Sequence, residues 1–355
     1  MNISKSKYSL LNCLNCTIDL SEEITCLEHN PDDLLTKTAN AHYDPAARCD
    51  RWEKFVDEIM CEDKELSIYL QKALGYAMSG DTSTECLFII CGRKTRNGKG
   101  TCMEAVSKIM GGYGKSLSPA SLAQRSGTGD RPSPEFARVV GVRLVNVSEP
   151  DKGMVLNVGL AKRLTGGDSI IARYLHRNPI EFRPQFKIYI NSNHYMEIED
   201  DTIFTSGRIK MIPFDRHFDE TERDNTLKDT FKKPENASGI FNWLLDGYRL
   251  FEKEGLTPPP KAVEALTMYR KECDTVGLFM ETALNKCDEK IHVKTSVLYD
   301  VYKSWSTDFD IEPKSQKDFV ATLRDKGLVD RHRNDGHIIK GYKLKEDNDL
   351  QSSGR

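Results

Sequence analysis

The stretch "LFIICGRKTRNGKGTCME", Leu87 to Glu104, decides how the rest of the chain is read. It opens on an apolar run, turns through glycines and a lysine, and ends in helix-compatible residues. A phosphate-binding loop needs this context. A buried strand leads in, glycines let backbone N–H groups face the phosphates, and a lysine meets the terminal phosphates. A hydroxyl holds magnesium, and the following helix presents its N-terminus to the negative charge. The spelling departs from the usual pattern: five residues separate Gly92 from Gly98, Gly100 follows Lys99, and the hydroxyl comes one place late, at Thr101. Gly92, Arg96, Asn97, Gly98, Lys99, Gly100 and Thr101 are the candidate nucleotide-binding residues, with Thr101 the candidate magnesium hydroxyl.

Beyond this stretch, apolar strands alternate with helical patterns. "VRLVNVS" at 142–148 precedes a helix around 156–164, and "FKIYINS" follows at 186–192. Strands that are nearly all apolar and alternate with helices imply a parallel sheet covered on both faces. Upstream, Phe55, Ile59, Leu66, Leu70, Leu74 and Met78 recur at helical spacing, so the N-terminal region is expected to be helical after an irregular start. "GLTPPPKA" at 255–262 is a proline-stiffened break. After it come helical patterns and two strand-like ends around Asn334-Asp335-Gly336, a hairpin signal that suggests a winged helix.

A chain of 355 residues with 38% hydrophobic and 30% charged residues reads as globular and too long for one average domain. A net charge of −3 argues against coating nucleic acid by bulk positive charge, so any such contact falls to local basic clusters. No apolar run has membrane-spanning length and no signal-peptide profile opens the chain, which points to the cytoplasm. Cys13 and Cys16 form a C-x-x-C pair followed by Cys26 and Cys49, but no second tight pair or paired histidines complete a zinc pattern. Structural disulfides are not expected in a reducing compartment.

Three further positions carry chemistry when taken in order. Glu149 ends an apolar strand about fifty residues after the loop, where an NTPase places an acid beside the phosphate loop for magnesium and the attacking water. Asn193 ends the next strand, where an amide can hydrogen-bond the γ-phosphate or the water. Arg208 opens "RIKMIPF", where an arginine offered to a neighbouring subunit can neutralise transition-state charge. Each signal is weak alone: an acid ending a strand, an asparagine starting a turn and a surface arginine are all common.

Together they carry a family resemblance. With "RNGKGT" (96–101), "RLVNVSEPDKG" (143–153), "KRLTGGDSIIARYL" (162–175), "FKIYINSNH" (186–194) and "GRIKMIPF" (207–214), the chain resembles the superfamily 3 helicases, most closely the helicase part of phage/plasmid and poxvirus-type primase–helicases. "NCTIDL" (15–20), "YLQKALGYAMSG" (69–80) and "VLYDVYKSW" (297–305) extend it over nearly the whole chain. The resemblance implies an α/β P-loop NTPase (AAA+-like) core at 81–254, an N-terminal helical domain at 1–80, a winged-helix-like C-terminal domain at 255–346 and a disordered tail at 347–355. It implies ATP and Mg2+ as cofactors, Glu149 as the Walker B acid and a magnesium partner, Asn193 as the sensor, and Arg208 as the arginine finger. Two features depart from the family pattern: Ser148 stands where many members carry a second acid, and Gly207-Arg208 stands where many carry paired arginines.

"SIIARYLHRNPIEFRP" reads as two short strands around a basic tip, His176-Arg177. Superfamily 3 helicases are similar in projecting such a hairpin into a ring's channel, where a cation grips phosphate without reading sequence and a histidine adds stacking. Lys162 and Arg163 are further candidates for DNA contact, and Arg331, Arg333, Lys340 and Lys343 offer a duplex or partner surface in the C-terminal region. The expectation is thus an ATP-dependent helicase of a phage or mobile element. It would act on single-stranded and forked DNA as a homo-oligomeric ring, a hexamer, with a primase domain or protein as a partner and no membrane. A P-loop ATPase that loads or packages DNA, and a non-catalytic winged-helix DNA-binding protein, stay open as alternatives.

Overall fold

The computed structural model describes residues 8–124, 134–288, 290–309, 311–328, 330–333 and 336–345. The expected disordered tail lies outside them, as do the turn residues Asn334 and Asp335. The chain divides into two compact units, Met1–Thr267 and Met268–Arg355.

The first unit begins with β1 (Leu10–Asn12), β2 (Thr17–Asp19) and β3 (Thr25–Leu27), which pair antiparallel in the order β1-β2-β3. This sheet lies in the stretch expected to be irregular, ahead of the helices; strands of three residues are too short to show a period of two. The β2–β3 register pairs Ile18 with Cys26. It sets Cys16 diagonally across from Cys26, and the two form a disulfide with Cα atoms 6.0 Å apart, contrary to the expectation of none. Helices α1 (Asp50–Ile59) and α2 (Lys64–Tyr76) follow. The Asp63 carboxylate caps α2 by accepting from the Leu66 amide.

Next come β4 (Leu87–Cys91), α3 (Lys99–Met110), β5 (Gly114–Leu117), a single turn α4 (Pro134–Ala137), β6 (Leu144–Ser148) and α5 (Val158–Thr165). Then follow β7 (Ile170–Ala172), β8 (Ile180–Phe182), β9 (Lys187–Ser192), a turn α6 (Thr202–Thr205), β10 (Ile209–Pro213), a turn α7 (Leu227–Thr230) and the long α8 (Pro234–Glu254). Five of these strands make one parallel sheet in the order β10-β4-β9-β6-β5. Every residue of β4 and β9 is buried, as a central strand covered on both faces requires. Alternate residues Phe88 and Ile90 of β4 join one core with α1, α2, α3 and α8, so the N-terminal helices and the sheet share their packing. Helices α2 and α8 cross at glycines: a Cβ on Gly75 would lie 2.3 Å from the Tyr248 backbone nitrogen, and one on Gly247 2.3 Å from the Gln71 carbonyl oxygen. Only residues without a Cβ allow this approach.

The strand order corrects one detail of the sequence reading. The acid-bearing strand β6 is not beside the loop-bearing β4; β9 lies between them, so the tip of β9 stands between loop and acid. The β7–β8 hairpin forms its own antiparallel pair.

Helix α9 (Pro260–Cys273) runs across the division, and the second unit takes its end, from Met268, then α10 (Thr275–Ala283), β11 (Leu284–Lys286), β12 (His292–Lys294), α11 (Thr295–Asp308) and α12 (Gln316–Asp325). It closes with β13 (Asp330–Arg333), β14 (Gly336–Lys340) and β15 (Tyr342–Leu344). Phe279, Tyr302, Trp305 and Phe319 build its core from three helices, with ring centroids 4.6 to 6.2 Å apart. The sheet order is β12-β14-β13, with Arg333 paired to Gly336 across the expected turn.

Candidate nucleotide-binding site

The loop after β4 is held by its own side chains. The Gly92 amide donates to the Ser192 carbonyl at 3.3 Å, tying the loop to the tip of β9. Asn97 is buried, and its side-chain amide donates to the carbonyls of Lys94 at 2.6 Å and Gly92 at 3.4 Å, closing the loop on itself. Gly98 takes φ +84°, and a Cβ there would lie 2.4 Å from Ile59 Cγ2, so both conformation and space require glycine. Helix α3 starts at Lys99. Only 6% exposed, the Lys99 ammonium donates to the Gly92 carbonyl at 3.2 Å and to Asn193 Oδ1 at 2.8 Å. Burial pulls its pKa below the ordinary lysine value, against the opposing pull of Cys91 and Glu149.

A cavity of about 480 Å³ opens beside this lysine, lined by Lys99, Gly100, Glu104, Ser148, Glu149, Asn191, Asn193 and Lys228 among others. The fold therefore brings together three residues that are far apart in sequence: Lys99 from the start of α3, Glu149 from the end of β6 and Asn193 from the end of β9. Glu149 holds φ +52°, a left-handed conformation costing a non-glycine residue about 1–2 kcal/mol, and its amide donates to the Asn191 carbonyl at 2.8 Å. Such strain is most often retained where a side chain must be aimed. Across the cavity, the Glu104 carboxylate meets the ammonium of Lys228 at 2.6 Å and of Lys232 at 2.9 Å, and these hydrogen bonds, Lys228 first, hold its pKa low. Among the loop residues, Gly100 lines the cavity while Thr101, on the same turn of α3, is not part of the lining. Arg96, at φ +56°, pairs with Glu220 at 3.3 Å.

Arg208 stands elsewhere. Its carbonyl accepts from the Leu87 amide at 2.8 Å, at the start of β4, whereas the loop follows the end of that strand, roughly 13 Å away at ~3.3 Å per residue. The guanidinium binds Glu85 Oε2 at 2.6 Å and Thr165 Oγ1 at 2.9 Å. In the β7–β8 hairpin, residues 173–179 are exposed, His176 has φ +59°, and Leu175 is 75% exposed. The ammonium of Lys162 is engaged by Asp200 at 2.9 Å.

Sequence patterns had singled out neither Lys228 and Glu104, nor Glu85, nor Asn146 and Asn191 beneath the acid. Lone polar residues within apolar strands, and charges on helices, carry no motif; only the register reveals what they face.

The site belongs to a class: an α/β protein whose parallel central sheet carries a glycine-lysine loop, an acid and an amide at neighbouring strand ends. Comparisons with known proteins agree. A family model described as "D5 N terminal like" matches residues 5–61. The chain is 28% identical over 325 residues to a protein of Acanthamoeba polyphaga mimivirus, covering 86% of this chain and 33% of the relative. It is 28% identical over 227 residues to a protein of Frog virus 3, covering 59% of this chain and 23% of the relative. Both relatives are described as a "putative helicase", and the chain spans about a third of the length of the first. Among solved structures, the apo NrS-1 C-terminal region shares the fold with a TM-score of 0.51 at 10% identity, over 93% of this chain and 95% of that one. The chain is thus homologous to these viral proteins and carries a D5 N-terminal-like region at residues 5–61. Among the described residues, no helix is long and apolar enough to cross a membrane.

Proposed function

We propose that this chain is the ATP-driven motor of a DNA helicase of the superfamily 3 kind, working with Mg2+ in the cytoplasm as a ring, a hexamer. The observation that carries this reading is the hydrogen bond from the Lys99 ammonium to Asn193 Oδ1, at the edge of the cavity that Glu149 lines. A cation on the loop, an amide at the tip of the intervening strand and an acid on the next are the parts that phosphoryl transfer uses. Lys99 would hold the β- and γ-phosphates, Asn193 would orient the γ-phosphate or water, and Glu149 would activate the water. Arg208, at the far end of its own sheet, cannot serve its own chain's nucleotide. It fits a finger offered to the neighbouring subunit, which makes assembly a condition of hydrolysis.

The exposed 173–179 hairpin, with His176 and Arg177, would grip single-stranded DNA in the ring channel. The order α10, β12, α11, α12, β13, β14 supports a winged helix, a surface for duplex DNA or for a primase partner. The test is DNA-stimulated ATP hydrolysis together with displacement of a strand from a forked duplex. Wild type is expected to show both, and Lys99→Ala neither. Equal activity of the two proteins overturns the reading, and hydrolysis without strand displacement leaves an ATPase that is not a helicase.

A further inference from the structure

Two places that usually bind the metal of a phosphate-loop site lack their usual residue here. Gly100 occupies the position after the loop lysine, where a hydroxyl is expected, and Ser148 occupies the position before Glu149, where an acid is common. Thr101 does not line the cavity. What does line it, next to Ser148, is a pair of asparagines.

Register places Asn191 of β9 directly opposite Ser148 of β6, and Asn146 lies two residues before Ser148 on the same face of that strand. The Asn191 side-chain amide donates to Asn146 Oδ1, and the Asn146 side-chain amide donates to Ser148 Oγ at 3.1 Å. The hydroxyl is therefore held as an acceptor from below. Asn191 is 6% exposed, and its Oδ1 has no hydrogen-bond partner, although Asn191 lines the cavity. A buried carbonyl oxygen left unpaired costs about 1–3 kcal/mol, and such an atom in a native site calls for a bound water, ion or ligand. The available donors, Ser148 Oγ, Asn191 Oδ1 and the Glu149 carboxylate, are all oxygens, and only one carries charge. That set suits a hard divalent cation that keeps most of its waters and takes its charge from nucleotide phosphates.

We propose that Asn191, Asn146 and Ser148 form a neutral relay that does the work of the missing second acid: Asn146 fixes the Ser148 hydroxyl, and Asn191 Oδ1 accepts from a water of the magnesium–nucleotide shell. This rests on the nucleotide-binding reading above. These are positioning residues, and the chain of amides has a consequence an acid would not have. A neutral relay adds little attraction for free Mg2+, so the protein binds the metal chiefly as its nucleotide complex, and a charge introduced at Ser148 strengthens metal binding.

The experiment measures binding of a fluorescent, non-hydrolysable ATP analogue to the full chain at increasing Mg2+. It compares wild type with Ser148→Ala, Ser148→Asp and Asn191→Ala. Ser148 is exposed, so its variants test the proposal without threatening the fold. Ser148→Asp is expected to lower the half-saturating Mg2+ about tenfold. Ser148→Ala and Asn191→Ala are expected to raise it about tenfold while Mg2+-free affinity for the analogue stays at the wild-type value. If wild type binds the analogue with a Mg2+ dependence that all the variants share, the relay is wrong and the nucleotide site stands. If wild type does not bind the analogue at all, both readings fall.

Discussion

Arg208 is bound within its own chain: its guanidinium meets the Glu85 carboxylate at 2.6 Å, and 18% of its side chain is exposed. An arginine finger must leave such a partner to reach a neighbour's nucleotide. A partly exposed ion pair contributes about 0–1 kcal/mol, so release is inexpensive. Mixing Arg208→Ala into wild type at constant total protein is expected to depress DNA-stimulated ATPase more steeply than dilution, because each substituted subunit disables its neighbour's site. A strictly proportional decline would confine Arg208 to its bonds with Glu85 and Thr165. Glu85→Gln, which removes the ion pair and leaves the bond to Thr165, is expected to keep or raise the activity.

Burial of the Lys99 ammonium carries a cost in stability. Burial lowers its pKa from 10.5, so between the depressed folded value and 10.5 the unfolded chain binds more protons than the native one. Its unfavourable contribution is fully present below the folded value and is relieved as pH rises toward 10.5. Lys99→Met is therefore expected to unfold at a temperature no lower than wild type, and to show a smaller gain in stability over that alkaline window. It should also lose the upward shift in unfolding temperature that ATP gives wild type, worth about 2.7 kcal/mol at a hundredfold excess over Kd. Thermal unfolding across pH, with and without ATP, checks all three expectations; a strongly destabilised Lys99→Met would make the lysine structural instead.

The hairpin tip sets apolar Leu175, 75% exposed, beside His176 and Arg177. A large exposed leucine beside a histidine and an arginine suits wedging against bases while the histidine stacks and the arginine meets phosphate. The double change His176→Ala with Arg177→Ala is expected to abolish unwinding and weaken single-strand binding, with basal ATPase intact. Arg177→Ala alone should reduce the slope of log affinity against log salt by about 0.7, one phosphate contact on a single strand. Leu175→Ala should weaken unwinding with that slope unchanged. Fluorescence anisotropy over a salt series separates the two effects, and unchanged unwinding in the double variant removes the hairpin from the mechanism.

Much of this arrangement was legible before the fold. β4, β6 and β9 announce themselves as apolar runs because each is buried on both faces, and their ends carry Lys99, Glu149 and Asn193 in readable order. The edge strand β5, "GKSL", with two exposed residues, shows no such run. The strands of the N-terminal sheet are too short for any period, and nothing local tells that β9 inserts between β4 and β6. The amide relay is invisible for the same reason: Asn146 and Asn191 are separated by 45 residues and meet only through register. Their polarity inside apolar strands was the one available signal.

Arg143 joins the opening strand to the sheet by a route the sequence also hides. Wholly buried just before β6, its guanidinium donates to the carbonyls of Met78, after α2, and Leu10, in β1, and lies 4.8 Å over the Tyr113 ring. Burial pulls its pKa down to about 10, still charged at neutral pH. Arg143→Met would keep the bulk but leave two buried carbonyls without donors. At about 1–3 kcal/mol per orphaned group, offset in part by removing a buried charge, the net loss should be about 2–4 kcal/mol. Urea denaturation reads that loss. Because Arg143 lies at the opposite end of β6 from Ser148, nucleotide affinity of the folded variant should match wild type. A variant as stable as wild type would mean that water replaces the guanidinium, and a folded variant with weakened nucleotide binding would mean that the docking of the N-terminal strand shapes the site.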